Sequence, residues 1–94
     1  MDQLKEVVAL TQKDLGLSLA TPPNFEQFID ELAKAIQYLI DTDFEKLMHI
    51  LYRIDVNENK VKQAFGLEKD VARELAILVI EREKQKVITR SKYK

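Results

Sequence analysis

Residues 38–56, which read YLIDTDFEKLMHILYRIDV, constrain the fold of this chain more than any other segment. Within residues 43–54, apolar side chains cover well over half the circumference of a helix, and only a helix surrounded by others buries so wide a surface. No segment shows alternating apolar and polar residues between turn signals, which is the pattern of a strand. We therefore expect a compact all-α bundle of about five helices, with a central buried helix near residues 43–54.

The chain has only two glycines and two prolines, so the helix boundaries rest on few residues. Gly16 is suited to end a first helix over residues 2–15, because glycine readily takes the left-handed conformation. Two successive prolines favour an extended connector over residues 17–23. Asn24 and Gln27 have the spacing of a capping pair and predict the start of a second helix.

Acidic residues mark the next two boundaries. Thr42 with Glu45 forms a capping-box pattern in the Asp-Thr-Asp sequence at residues 41–43, which predicts a third helix from Asp43 to Ile54. The apolar residues keep helical phase across this point, so one continuous helix is the alternative. Asp55 with Glu58 is a further capping pair, which predicts the start of a short fourth helix.

The last helix is expected to begin within residues 68–70 and to run to about Ile88. Residues 89–94 are polar and are expected to form a mobile basic tail. We interpret residues 1–94 as a single helical domain, since this length is typical of one domain. Residues 1–23 form a peripheral helix and connector in this interpretation.

Composition excludes several kinds of protein. Apolar residues make up 46% and charged residues 33%, which is typical of a globular chain. The chain has no cysteine, which excludes disulfides, thiolate metal sites and cysteine nucleophiles. No apolar run approaches the roughly 18 residues of a membrane span. We expect a cytoplasmic protein without membrane contact.

Positive charge is concentrated at the C-terminus. Residues 1–80 hold nine basic and fourteen acidic residues, whereas residues 81–94 hold six basic and two acidic residues. This distribution allows contact with nucleic acid or another anionic surface, although a solubilising terminus is the simpler interpretation and the two acidic residues dilute the charge. The basic residues are Arg82, Lys84, Lys86, Arg90, Lys92 and Lys94.

Glu45, His49 and Arg53 follow one another at i, i+4 and i+8 on the third helix, with Tyr52 beside them. In a functional interpretation, Glu45 orients His49 and Arg53 supplies an anion contact. The alternative is an exposed helical face with favourable charge pairs. Catalysis needs a second partner and a pocket, and neither is visible in the sequence.

Other motifs predict no enzyme, metal or cofactor. The acidic clusters at residues 41–45 and 55–59 resemble the opening of a calcium loop, but both lack the required glycine and the closing glutamate. Residues 61–82 have the order of a helix–turn–helix, but the second helix opens with acidic residues that DNA phosphates would repel. Phosphate-binding glycine loops, nucleophile elbows and zinc motifs are lacking.

The segments YLIDTDFEKLMHILYRIDV and ELAILVIEREKQKVITR resemble a family of small, uncharacterised, all-helical bacterial proteins. The resemblance covers roughly residues 25–90. It implies a compact helical fold and a cytoplasmic location, and it carries over no catalytic or binding residue. It draws attention to the corner at residues 54–56 and to residues 82–90.

The apolar residues of the second, third and last helices exceed what one small core needs, and the surplus predicts a contact surface. The alternative is that the five helices bury all of these residues. We therefore expect a non-enzymatic module that associates with itself or with another protein. Binding of nucleic acid or an anionic surface through the basic C-terminal residues is the alternative.

Overall fold

A computed structural model describes residues 3–18 and 21–92 and, among them, the side chains up to residue 90. This part of the chain folds into five α-helices and no strand, as the apolar periodicity predicts. The helices are α1 (Gln3–Leu15), α2 (Phe25–Thr42), α3 (Phe44–Ile54), α4 (Glu58–Phe65) and α5 (Val71–Lys92).

Two predicted boundaries are confirmed. Gly16 follows α1 with a φ of 67°, the left-handed conformation expected of it. At the start of α2, the side chain of Asn24 accepts a hydrogen bond of 2.9 Å from the backbone N–H of Gln27. This bond satisfies one of the unpaired amides of the first turn.

A break separates α2 from α3, so the continuous helix is excluded. Asp43 caps both helices: its backbone N–H donates to the carbonyl of Leu39 at 2.8 Å, and its side chain accepts from the amide of Lys46 at 3.1 Å. The predicted cap at Thr42 was wrong by one residue. The hydroxyl of Thr42 donates instead to the carbonyl of Tyr38, inside the last turn of α2.

The predicted capping pair of Asp55 and Glu58 was also wrong. Asp55 ends α3 in the left-handed conformation, with a φ of 68°, and the amides of Asp55 and Val56 close the last turn of α3. Asn57 caps α4 by accepting hydrogen bonds from the amides of Asn59 and Lys60. Asp55 therefore ends α3, whereas we expected it to start α4.

The central helix of the bundle is α5. It packs closely against each of the other four helices, whereas α3 packs mainly against α1, α2 and α5, touches α4 through the Phe44 and Phe65 rings, and leaves one face in solvent. The prediction that residues 43–54 form the central buried helix was wrong in this respect. Apolar residues around most of a helix predict that it is buried, but some of the apolar side chains of α3 are exposed. Within residues 3–18 and 21–92, no helix combines the length and apolar composition needed to cross a membrane.

α5 also extends farther than expected. Its helical backbone continues past Ile88 to Lys92, so residues 89–92 belong to the last helix, which we expected to end at about Ile88. Good helix formers such as Arg and Lys continue a helix without needing an apolar face. Tyr93 and Lys94 lie outside the described residues.

Candidate functional site

An apolar stripe is exposed along α3. Phe44, Met48 and Tyr52 follow one another at i, i+4 and i+8, so they share one side of the helix. Their exposed fractions are 48%, 37% and 81%. The adjoining side of α3 is held in the core by the buried side chains of Leu47, Ile50, Leu51 and Ile54. The exposed stripe is therefore presented by a helix whose other side is anchored.

A groove runs beside this stripe, between α3 and α4. Its volume is about 670 Å³, and Met48 and Tyr52 form one wall. At the other end of α3, the rings of Phe44 and Phe65 meet edge to face, with their centroids 5.4 Å apart. The remaining groove residues are Leu51, Asp55, Val56, Asn57, Glu58, Asn59, Val61 and Lys62.

The polar residues predicted as a site lie next to the stripe. Glu45, His49 and Arg53 are exposed on the neighbouring side of α3. Within the described part of the chain, neither Glu45 nor Arg53 forms an ion pair, although opposite charges one turn apart often do. Of the four predicted residues, only Tyr52 lines the groove. We name the stripe and these three polar residues together the α3 outer face.

The basic residues of α5 do not form one surface. The ammonium of Lys84 lies 4.0 Å from the ring centroid of Phe25, on the α2 side. Arg82 points toward the end of α3, where its Nε donates to the carbonyl of Ile54 at 3.2 Å. Lys86 points toward α1 and forms an ion pair with Asp14 at 3.3 Å. Three of the predicted tail cations are thus engaged in contacts within the chain.

Arg90 is exposed, and it lines a cleft of about 300 Å³ between α1 and α5, together with Arg82, Lys86 and Asp14. Lys92 is the last residue of α5, and only its backbone is described. Lys94 lies outside the described residues. The basic segment therefore offers one side of a small cleft rather than a free, uniformly positive tail.

The sequence interpretation overlooked a buried carboxyl group. Glu83 is fully buried, and its two oxygens make no hydrogen bond. Burial raises the pKa of Glu83 to about 7; Asp14 acts in the same direction, and Lys86 and Arg82 oppose it. The nitrogen of Lys86 lies 4.0 Å from the nearer Glu83 oxygen. The helical spacing of Glu83 from Val79 and Val87 was the available signal, since all three lie on the buried side of α5.

The metal and DNA interpretations find no geometric support. Among residues 3–18 and 21–92, no group of three or more acidic or histidine side chains is placed to hold a metal ion. Side-chain oxygens from both acidic clusters, those of Asp43 and Asn57, accept backbone hydrogen bonds as helix caps. α5, the second helix of the suggested helix–turn–helix, is packed in the centre of the bundle rather than presented at the surface.

No protein-family model matches this chain, and neither a curated protein nor a solved structure matches it. The resemblance to small helical bacterial proteins stays a prediction. Function is therefore inferred from the geometry of the α3 outer face and of the residues around it.

Proposed function

We propose that this protein is a non-enzymatic interaction module that associates with itself through the α3 outer face. The observation that carries this proposal is the exposed stripe of Phe44, Met48 and Tyr52 on a helix that is otherwise anchored in the core. Aromatic and methionine side chains are enriched at the centres of protein interfaces, where their apolar area drives association.

The groove beside the stripe supports the same proposal. It offers apolar walls from Met48 and Val56 and a polar rim from Glu58 and Lys62, which is the arrangement of an interface core and its edge. An exposed helix of 11 residues gives only a modest contact area, so we propose a weak dimer that forms with rising concentration. The absence of cysteine is consistent with a reducing compartment, and we propose a cytoplasmic location.

Contact of an anionic partner with the basic residues of α5 is less well supported. Lys86 and Arg82 are held by Asp14 and by the end of α3, so a phosphate would have to compete with these contacts. Lys84 lies on another side of the molecule, over the ring of Phe25. Few basic side chains of α5 are therefore left to form one surface for an anionic partner.

Sedimentation velocity over a concentration series tests the proposal. The native chain should shift from monomer to dimer, and Tyr52→Glu should remain monomeric because a charge at an apolar contact is costly to bury. Gln27→Glu is the matched control, since it adds the same charge to an exposed position on α2 and should dimerise like the native chain. A native chain that stays monomeric, or a Tyr52→Glu variant that dimerises normally, would contradict the proposal.

A further inference from the structure

The α3 outer face is self-complementary when a second copy of the helix is placed against it in the opposite direction. Glu45 and Arg53 lie four residues before and four residues after His49, on the same side of the helix. Phe44 and Tyr52 are placed in the same way about Met48. In an antiparallel pair related by a two-fold axis, a residue before the axis meets the one equally far after it.

This symmetry brings opposite charges together twice. With the axis beside His49, Glu45 of each copy faces Arg53 of the other copy. Both side chains are exposed, and neither has an ion-pair partner within the described residues, so each is free to pair across the axis. A parallel arrangement would place each charge against its own equivalent, which is repulsive.

The apolar stripe follows nearly the same symmetry, because its centre, Met48, is one residue from His49. Phe44 of one copy lies within about 3 Å, along the helix, of the point directly opposite Tyr52 of the other, and the two Met48 side chains meet next to the axis. Aromatic residues thus face each other at both ends of an apolar contact, and flexible methionine fills the centre. The apolar row and the charged row favour the same antiparallel direction, with centres one residue apart, and the charged row sets the register.

We propose that the partner of the α3 outer face is a second copy of this chain, bound antiparallel through α3, and that Glu45 and Arg53 select this orientation. This inference rests on the proposed function and adds the register of the contact. The pairs are exposed at the edge of the interface, so they contribute more to orientation than to the total affinity.

Charge reversal tests the register. Dissociation constants are measured by sedimentation equilibrium for the native chain, Glu45→Arg, Arg53→Glu and the double variant. Each single reversal creates two like-charge contacts by symmetry and should raise the dissociation constant about tenfold. The double variant restores opposite charges and should return close to the native value. An equimolar mixture of the two single variants should form a heterodimer of near-native affinity.

The controls are Glu81→Arg and Lys34→Glu, which make equivalent charge changes at exposed positions on α5 and α2 and should leave the dissociation constant unchanged. The circular dichroism of each variant shows that it is folded. If the native chain dimerises but the single reversals have no effect, or the double variant stays as weak as the single ones, the register is wrong and the proposed function stands. If the native chain is monomeric, both the register and the proposed function are wrong.

Discussion

Arg82 on α5 donates a hydrogen bond from its Nε to the backbone carbonyl of Ile54, the last residue of α3, at 3.2 Å. The carbonyls at the end of a helix have no partner within the helix, and an arginine from a neighbouring helix satisfies one of them here. This bond connects residues 28 positions apart in the chain. It fixes the end of α3 against the central helix and so sets the direction in which the α3 outer face points.

We expect the hydrogen bond of Arg82, rather than its charge, to stabilise this corner. Arg82→Met keeps much of the aliphatic stem but leaves the carbonyl of Ile54 without its partner, and it should lower the free energy of unfolding by about 1–2 kcal/mol. Asp55→Asn removes the looser ion pair, in which Arg82 lies 3.7 Å from a largely exposed carboxylate. It should change stability little, because such pairs contribute little. Urea unfolding measures the stability of both variants. An equal loss of stability in Arg82→Met and Asp55→Asn would show that the hydrogen bond is not the main contribution of Arg82.

Glu83 should make the stability of the fold depend on pH. Its pKa is about 7 in the folded chain and near 4.5 ordinarily, so the folded state holds the proton more tightly. The stabilisation from this group is fully present below pH 4.5 and is lost as the pH rises toward about 7. A shift of this size corresponds to about 3 kcal/mol, so the native chain should be markedly more stable at about pH 5 than at about pH 8.

Glu83→Gln imitates the protonated form and should remove most of this pH dependence. The variant should be more stable than the native chain above pH 7, where the native carboxyl is charged and buried. Glu81→Gln is the matched control, because Glu81 is exposed on the same helix and should leave the pH profile unchanged. Urea unfolding across this pH range gives the result, and a Glu83→Gln profile parallel to the native one would refute the role of Glu83.

The two glycines should respond differently to alanine. Gly16 has a φ of 67°, where a Cβ is strained even though open space surrounds it, so Gly16→Ala should destabilise the fold by about 1 kcal/mol. Gly66 has a φ of −82°, and an added Cβ meets its nearest atom at 3.4 Å. Gly66→Ala should therefore be close to neutral, because the conformation suits alanine. Thermal unfolding compares them, and an equal effect of both substitutions would show that backbone conformation is not the cause.

The number and order of the helices were predictable from the sequence because apolar periodicity and breaker residues agree for each of them. The capping residues were less predictable. At residues 41–43 the sequence offers three adjacent side chains that can cap a helix. Asp41 accepts a hydrogen bond from Gln37 and Thr42 donates one to the carbonyl of Tyr38, both within α2, so Asp43 caps α3. At Asp55, a positive φ turns a residue that usually starts helices into one that ends a helix.

Which helix is central could not be read from apolar content alone. Both α3 and α5 carry apolar residues around most of their circumference, and only the packing shows that α5 is enclosed while part of α3 is exposed. Glu83 was missed for a related reason. A glutamate between two basic residues reads as surface charge, whereas its position on the buried side of α5 is decided by the docking of α1.

The candidate site was partly predictable. Spacing alone placed Glu45, His49 and Arg53 in one row with Tyr52 beside it. The exposure of Phe44 and Met48 was not predictable, because their apolar side chains suit a core equally well. That the charged row and the apolar row lie next to each other on the exposed surface of α3 becomes clear only once the buried side of this helix is known.

Disulfide trapping tests the central claim most directly, because the native chain contains no cysteine. Met48→Cys places a thiol beside the proposed two-fold axis, where two copies bring their side chains within bonding distance. Lys34→Cys places one on an exposed face of α2 as the control. Under mild oxidation, Met48→Cys should form a covalent dimer much faster than Lys34→Cys, and added Tyr52→Glu should abolish this difference. Equal rates of dimer formation for Met48→Cys and Lys34→Cys would contradict association through the α3 outer face.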